Sequence, residues 1–206
     1  VNELKSGPNV ATLVGHGTIR QLSGGGEKDK VSPAEQMKME ELLADAMVAG
    51  AYGLNTGLEY VPGRYADKEE MMGLAKVVGS HDGVISSHIR NEDDDQVHAS
   101  IAELLEQGKY ARVNASHVKV VYGKTREQGE AVLLQLREAR AQGMIVTADV
   151  YPYLASFGDM SYLYPEWAKR EFEFNDAVEN RRAEFQEFLR AKIIRRNGPD
   201  AILVSS

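Results

Sequence analysis

Short apolar runs alternate along the chain with longer segments in which apolar residues recur every three or four positions. The short runs predict buried β-strands, and the longer segments predict amphipathic helices. The predicted strands are residues 9–15, 51–57, 83–88, 111–118 and 144–150, with 201–204 as a candidate sixth. Strands that alternate with helices in this way predict an α/β fold in which parallel strands are joined by helical crossovers.

Capping signals locate the starts of three of these helices. A capping box pairs a short polar residue with an acid or amide three positions later, so that each side chain satisfies a backbone N–H group at the helix start. The pairs are Ser32 with Glu35, Asp67 with Glu70, and Thr125 with Gln128. A charged stretch after Pro165 predicts a further helix, because Phe185, Phe188, Leu189 and Ile193 share one helical face.

Two architectures are compatible with the strand–helix alternation: an open doubly wound sheet and a (β/α)₈ barrel. A doubly wound nucleotide-binding sheet places a glycine-rich loop between an early strand and its helix. The glycine run at 24–26 is followed by charged residues and not by a helix, so it favours a mobile loop. A complete barrel needs eight strands and typically about 250 residues. The sequence therefore favours part of a (β/α)₈ TIM barrel.

Composition narrows the class of protein and its partners. The 206 residues carry a formal net charge of −7, which disfavours binding to the phosphate backbone of a nucleic acid. Apolar runs do not reach the length of about 18 residues that a membrane helix requires, and we see no secretory signal. The chain has no cysteine, which excludes disulfides, cysteine–zinc sites and a thiol nucleophile. We expect a cytoplasmic protein that binds neither nucleic acid nor membrane.

Histidines follow three of the predicted strands. The carboxyl ends of parallel strands meet at one edge, where functional groups of such folds collect. His88 and His117 stand 29 residues apart, a spacing that suits one strand–helix unit, and imidazole is a common metal ligand. The two side chains are therefore candidates for one metal site. The alternative is that each histidine has a structural role in the core or a loop, with its ring nitrogens hydrogen-bonded to other protein groups. His16 is a candidate for a residue that contacts the metal ligands without binding the metal itself.

Other polar residues near the strand ends are candidates for substrate binding. Arg90 and Lys119 each lie two positions after a histidine and could hold an anionic group. The alternative is ion pairing with the acids at 92–94. Tyr60 could donate its hydroxyl to the same anion or pack in its loop. Asp149 is a candidate acid, base or buried hydrogen-bond acceptor, and the last interpretation is favoured.

Five stretches together resemble one enzyme family. They are NVATLVGHGTIR (9–20), AYGLNTGLEYVPGRYA (51–66), SSHIRNE (86–92), ASHVK (115–119) and TADVYPY (147–153). In this order and spacing they resemble the N-acyl-D-amino-acid deacylases, or D-aminoacylases, of the metal-dependent amidohydrolase superfamily.

The resemblance implies a zinc-bearing (β/α)₈ barrel that hydrolyses the amide bond of N-acyl-D-amino acids. By motif it implies that His88 and His117 bind zinc and that Tyr60 and Lys119 hold the substrate carboxylate. Residues 1–155 would form the central part of the barrel, and 156–206 a variable helical region with a candidate last strand.

Three features of the family are missing from this sequence. The family has a His-x-His pair on its first strand, a cysteine or acidic metal ligand further along, and an aspartate on its last strand that acts as general base. The sequence contains neither His-x-His nor cysteine, and Asp200 stands in a different context from the late aspartate. We therefore expect the middle of such an enzyme, roughly strands three to seven, with little activity alone.

An incomplete barrel has open edges, which leaves several hypotheses. The chain could curl into a half-barrel, associate with another copy, or be part of a longer protein. Its activity could be that of an amidohydrolase acting on another amide or on a cyclic imide, as a dihydroorotase-like enzyme does. A non-catalytic binding or assembly module is the third hypothesis.

Overall fold

A computed structural model describes residues 9–153 and 155–202 of the chain. The strands are β1 Leu13–Gly15, β2 Gly53–Gly57, β3 Val84–His88, β4 Arg112–Ala115 and β5 Val146–Ala148. The α-helices are α1 His16–Leu22, α2 Pro33–Val48, α3 Lys68–Ser80, α4 Val97–Gln107, α5 Arg126–Ala141, α6 Glu171–Glu179 and α7 Arg182–Arg195. None of the described helices is both long enough and apolar enough to cross a lipid bilayer.

The five strands form one parallel sheet in the order of the sequence, β1-β2-β3-β4-β5. A doubly wound sheet reverses its strand order at a switch point, and binding sites lie there. Within the described residues no such reversal occurs. Neighbouring strands that follow one another without reversal are the arrangement of a barrel wall. The strand order therefore favours the partial barrel over the open doubly wound sheet.

The hydrophobic core lies between the helices and one face of the sheet. Leu54, Ile85 and Val113 point to this face and are almost completely buried. The residue that follows each of these has a small polar side chain and is more exposed, because side chains of a strand alternate between its two faces. This second, polar face corresponds to the interior of a barrel.

Predicted caps and helices agree closely with the structure. The Ser32–Glu35 and Thr125–Gln128 capping boxes are formed. The third is formed only in part: the Asp67 side chain accepts a hydrogen bond from the Glu70 N–H at 2.8 Å, but the Glu70 carboxylate contacts His16 and Arg20 instead. The strands are shorter than the apolar runs that predicted them, since the residues at the ends of the runs enter loops.

The candidate strand at 201–204 is not formed in the described part of the chain. Ala201 instead ends a 3₁₀ helix, Pro199–Ala201, and residues 203–204 lie outside the described residues. Proline fits the first turn of a helix because its missing N–H needs no partner there, which explains the difference.

The described residues fall into two compact units that divide between Tyr151 and Pro152. The first unit contains the sheet and helices α1–α5. The second contains α6 and α7 and has a small core of its own around Ala168, Ala177 and Phe185. Of the four residues predicted to share one helical face here, Phe185 is buried in this core and Leu189 packs against it. Phe188 and Ile193 are only partly buried and do not join this core in the described part of the chain.

Candidate metal and substrate site

His88 and His117 meet at the carboxyl edge of the sheet. His88 is the last residue of β3, and His117 lies two residues beyond β4. The Nδ1 atom of His88 is 3.0 Å from the Nε2 atom of His117. The two rings are tilted by 62°, and their centroids are 4.6 Å apart. Parallel pairing of β3 with β4 produces this juxtaposition, because it brings the ends of the two strands side by side.

A carboxylate orients the ring of His88 from its other side. The Nε2 atom of His88 donates to Oε2 of Glu59 at 2.8 Å, and both side chains are largely buried. With Nε2 protonated, the lone pair of Nδ1 points towards His117. Sequence reasoning did not single out Glu59, although it directly precedes the candidate Tyr60. The contact depends on the path of the loop after β2, which no local pattern specifies.

A second carboxylate holds His117 and Lys119. Glu92 is 1% exposed, and its Oε1 atom lies 3.2 Å from Nδ1 of His117 and 2.6 Å from Nζ of Lys119. The Lys119 ammonium also lies 3.1 Å from Nδ1 of His117, so Nε2 is the ring nitrogen that faces His88. The sequence indicated Glu92 only as an ion-pair alternative for Arg90 or Lys119. The structure pairs it with Lys119.

These groups form a donor set suited to a cation. One donor atom from each of His88, Glu92 and His117 lies within 4.8 Å of the others. Imidazole nitrogen and carboxylate oxygen are ordinary zinc ligands, and hydrogen bonds from ligand imidazoles to carboxylates are a common feature of zinc sites. The residues present therefore fit a zinc ion.

Tyr60 and Lys119 lie beside the two imidazoles. The Tyr60 ring centroid is 4.6 Å from that of His88, and the Lys119 ammonium lies 5.5 Å from the centroid of the Tyr151 ring. Burial, and then the nearby carboxylates of Glu59 and Glu92, raise the pKa of Tyr60. Its hydroxyl therefore stays protonated at neutral pH and can donate a hydrogen bond.

Asp149 contacts the main chain of His117. Its Oδ1 atom accepts the His117 N–H at 2.7 Å, and its Oδ2 atom accepts a hydrogen bond from Asn114 Nδ2 at 2.7 Å. Burial raises the pKa of the Asp149 carboxyl, but the hydrogen bonds from Asn114 and His117 outweigh it and leave the pKa below its usual value. The carboxylate thus accepts hydrogen bonds, the role that the sequence favoured, but Asp149 is exposed and not buried as that interpretation had it.

Arg90 and His16 lie outside this cluster. The Arg90 guanidinium forms two hydrogen bonds with Glu103, at 2.8 and 2.7 Å, and also donates to the carbonyls of Arg64 and Ala66. These bonds join the loop after β2 to helix α4 and direct the guanidinium away from the two imidazoles, and the expectation that Arg90 holds a substrate anion stays a prediction.

His16 is fully buried, and its Nε2 atom lies 2.7 Å from Glu70, which also pairs with Arg20. It therefore contacts neither His88 nor His117 among the described hydrogen bonds. The structure brings together five of the seven candidates: Tyr60, His88, His117, Lys119 and Asp149.

Comparison with known proteins gives relatives of one kind. An N-acyl-D-glutamate deacylase of Alcaligenes xylosoxydans xylosoxydans is 40% identical over 162 residues, which is 78% of this chain and 32% of the relative. A D-aminoacylase of the same organism is 32% identical over 153 residues, 71% of this chain and 30% of the relative. No protein-family model matches the chain.

Solved structures agree with the sequence relatives. A crystal structure of N-acyl-D-glutamate deacylase from Bordetella bronchiseptica, complexed with zinc and a phosphonate inhibitor that mimics the tetrahedral intermediate, matches with a TM-score of 0.69 and 36% identity. The match covers 74% of this chain and 32% of that structure. The chain thus spans about a third of the length of the relatives it matches.

The fold is therefore part of an amidohydrolase-type (β/α)₈ barrel, as the sequence predicted. Within that class, the chain is related over most of its length to the N-acyl-D-amino-acid deacylases, of which it matches only a part.

Proposed function

We propose that the chain supplies the metal and carboxylate-binding part of a zinc-dependent hydrolase that cleaves the amide bond of N-acyl-D-amino acids. The observation that carries this proposal is the 3.0 Å approach of His88 Nδ1 to His117 Nε2, with the outer nitrogen of each ring bonded to a carboxylate. His88 and His117 are the proposed zinc ligands. The names of the relatives supply the substrate class.

The chain's own residues have distinct parts in this proposal. Glu59 and Glu92 each contact one nitrogen of an imidazole, which directs the other nitrogen of each ring to the shared space. Lys119 and Tyr60 bind the substrate carboxylate beside them, through charge and a hydroxyl donor. When bound, zinc would supply Lewis-acid polarisation of the amide carbonyl and acidification of water.

Because Lys119 engages the Glu92 carboxylate, two imidazoles remain as protein ligands, fewer than the three of usual catalytic zinc sites. The family's general base has no counterpart in this sequence. We therefore expect little or no deacylase activity from the isolated chain, measured as release of free amine from N-acetyl-D-amino acids. Sustained hydrolysis that is lost in the His117→Ala variant would contradict this expectation, because the chain would then contain a complete catalytic set.

The metal assignment is tested by zinc competition against a chromophoric chelator. We expect His88→Ala and His117→Ala each to weaken zinc binding by roughly tenfold or more, since each removes one of two protein ligands. His81→Ala is the matched control, because His81 is exposed and bonds only to its own helix end among the described contacts. Unchanged zinc affinity in both site variants would remove the metal role and favour a non-catalytic binding module.

A further inference from the structure

The main chain of His117 has an unusual conformation. Its φ angle is +40°, in the left-handed region that residues other than glycine rarely adopt. The ladder between β4 and β5 is interrupted at this point. Asp149 N–H donates to the Ala115 carbonyl at 3.2 Å, and the next bond on this side runs from Val118 N–H to the Asp149 carbonyl at 2.9 Å. His117 N–H lies in the gap and has left the main-chain ladder.

The Asp149 side chain takes the place of the missing strand partner. Its Oδ1 atom accepts the His117 N–H at 2.7 Å, so a side-chain carboxylate satisfies a donor that the sheet does not. Its Oδ2 atom accepts from Asn114 Nδ2 at 2.7 Å. Because both oxygens are engaged, the carboxylate is fixed in orientation as well as in position.

Asn114 is the centre of the hydrogen bonds behind this carboxylate. Its Nδ2 atom also lies 3.2 Å from Ser86 Oγ, and its Oδ1 atom accepts from Thr147 Oγ1 at 2.7 Å. The strand register aligns these residues in one row, pairing Ser86 with Asn114 and Asn114 with Thr147. The same row continues to Asn55 on β2.

Small polar residues in such a row are unusual, because bulky branched side chains dominate the interior layers of these barrels. Ser86, a member of this row, precedes His88 by two residues on β3, so the row and His88 lie on the same face of the sheet. Hydrogen bonds join these polar residues across β3, β4 and β5 to the Asp149 carboxylate that accepts the His117 N–H.

We propose that Asn114 and Asp149 are positioning residues that hold His117 in its left-handed conformation and thereby aim its Nε2 atom at Nδ1 of His88. The proposal rests on the metal role given above to these two histidines. Release of the His117 N–H would let its backbone relax towards ordinary φ values, and the imidazole would turn away from the shared space. Residues that orient metal ligands typically change metal affinity by about 10–100-fold when they are replaced.

The first experiment compares Asn114→Ala with Asn55→Ala in the full 206-residue chain. Asn55 is the matched control, because it has the same side chain in the same row, and no hydrogen bond among the described residues joins it to Asp149 or His117. For Asn114→Ala we expect at least tenfold faster exchange of the His117 amide hydrogen, read by NMR, and about 10–100-fold weaker zinc binding. Neither quantity should change in Asn55→Ala.

A side-chain exchange separates positioning from general stability. Asn114→Asp alone places two carboxylates against each other. Asp149→Asn alone leaves one amide oxygen at position 149 for two donors, the His117 N–H and Asn114 Nδ2. Each single variant should weaken zinc binding. The double variant Asn114→Asp/Asp149→Asn restores one donor and one acceptor across this contact and leaves an oxygen at position 149 for the His117 N–H. We expect it to recover slow exchange of the His117 amide and most of the zinc affinity.

The outcomes distinguish this proposal from the proposed function. If zinc fails to bind the wild-type chain while the amide exchange responds as expected, the metal role is wrong and the positioning of His117 stands. If the His117 amide exchanges equally slowly in wild type, Asn114→Ala and Asn114→Asp, the network does not hold His117 and the inference is overturned. Failure of the double variant to recover what each single variant loses would also overturn it.

Discussion

At the scale of single residues, carboxylates determine what the two histidines can do. Glu59 and Glu92 each contact the outer nitrogen of one imidazole, and the inner nitrogens of the two rings face each other. Burying the charge of Glu92 costs more free energy than burying that of Glu59, because Glu92 is almost completely buried. Without Lys119 this charge would be uncompensated. Lys119 thus stabilises the site before any substrate is present.

Replacement of Lys119 should therefore reduce stability through Glu92. We expect Lys119→Met to lower the free energy of unfolding by about 1–3 kcal/mol, measured by urea denaturation, because a buried carboxylate loses its charged donor. The double variant Glu92→Gln/Lys119→Met should recover a large part of this loss.

The control is Lys38→Met, which removes an exposed lysine paired with Glu41 and should change stability little. A Lys119→Met variant as stable as wild type, or a double variant less stable than Lys119→Met, would show that the Glu92–Lys119 pair does not act as described.

The sequence could predict the meeting of His88 and His117 but not their partners. Consecutive parallel strands place their carboxyl ends side by side whatever the paths of their loops. A spacing of one strand–helix unit was therefore enough to predict that the two histidines meet. Glu59 reaches His88 only through the path of the loop after β2. Arg90 follows its histidine as Lys119 does, yet it pairs with Glu103 of α4, since the loops after β3 and β4 take different paths.

At the scale of secondary-structure elements, local signals decided most of the fold. Capping boxes and apolar periodicity predicted the helices, since these patterns act within a few residues of the chain. Strand ends and the 201–204 segment were predicted less well, because a short apolar run becomes a strand only where a neighbouring strand pairs with it.

Helix α2 provides a pH-dependent test of these caps. The Lys28 ammonium, and then the N–H and hydroxyl of Ser32, hold the pKa of Glu35 at about 2, below its ordinary value of 4.5. A carboxyl with a lowered folded-state pKa stabilises the fold above its unfolded pKa, and this contribution is lost as pH falls from about 4.5 towards 2.

We therefore expect Glu35→Gln to lower the melting temperature at pH 6 and to differ less from wild type at pH 3. The measurement is thermal unfolding of both proteins across this range. A difference that stays constant between pH 6 and pH 3 would show that the charge of Glu35 contributes nothing to the cap.

At the scale of the whole molecule, the sheet is a partial barrel wall. Strands β1 and β5 each have one neighbour among the described strands, and the polar face that carries Asn114 and Asp149 is not covered by the helical layer of the same unit. The chain matches about a third of its relatives' length. A complete enzyme of this kind therefore contains more of the barrel than the five strands described here. Association through the open edges and a cytoplasmic location stay predictions.

The shared binding of one zinc ion by His88 and His117 is the central claim, and a crystal structure of the chain grown with zinc tests it most directly. We predict an anomalous difference peak between the two rings, about 2.0–2.1 Å from His88 Nδ1 and from His117 Nε2. A zinc peak bound elsewhere, with these two nitrogens still in contact with each other, would contradict the claim.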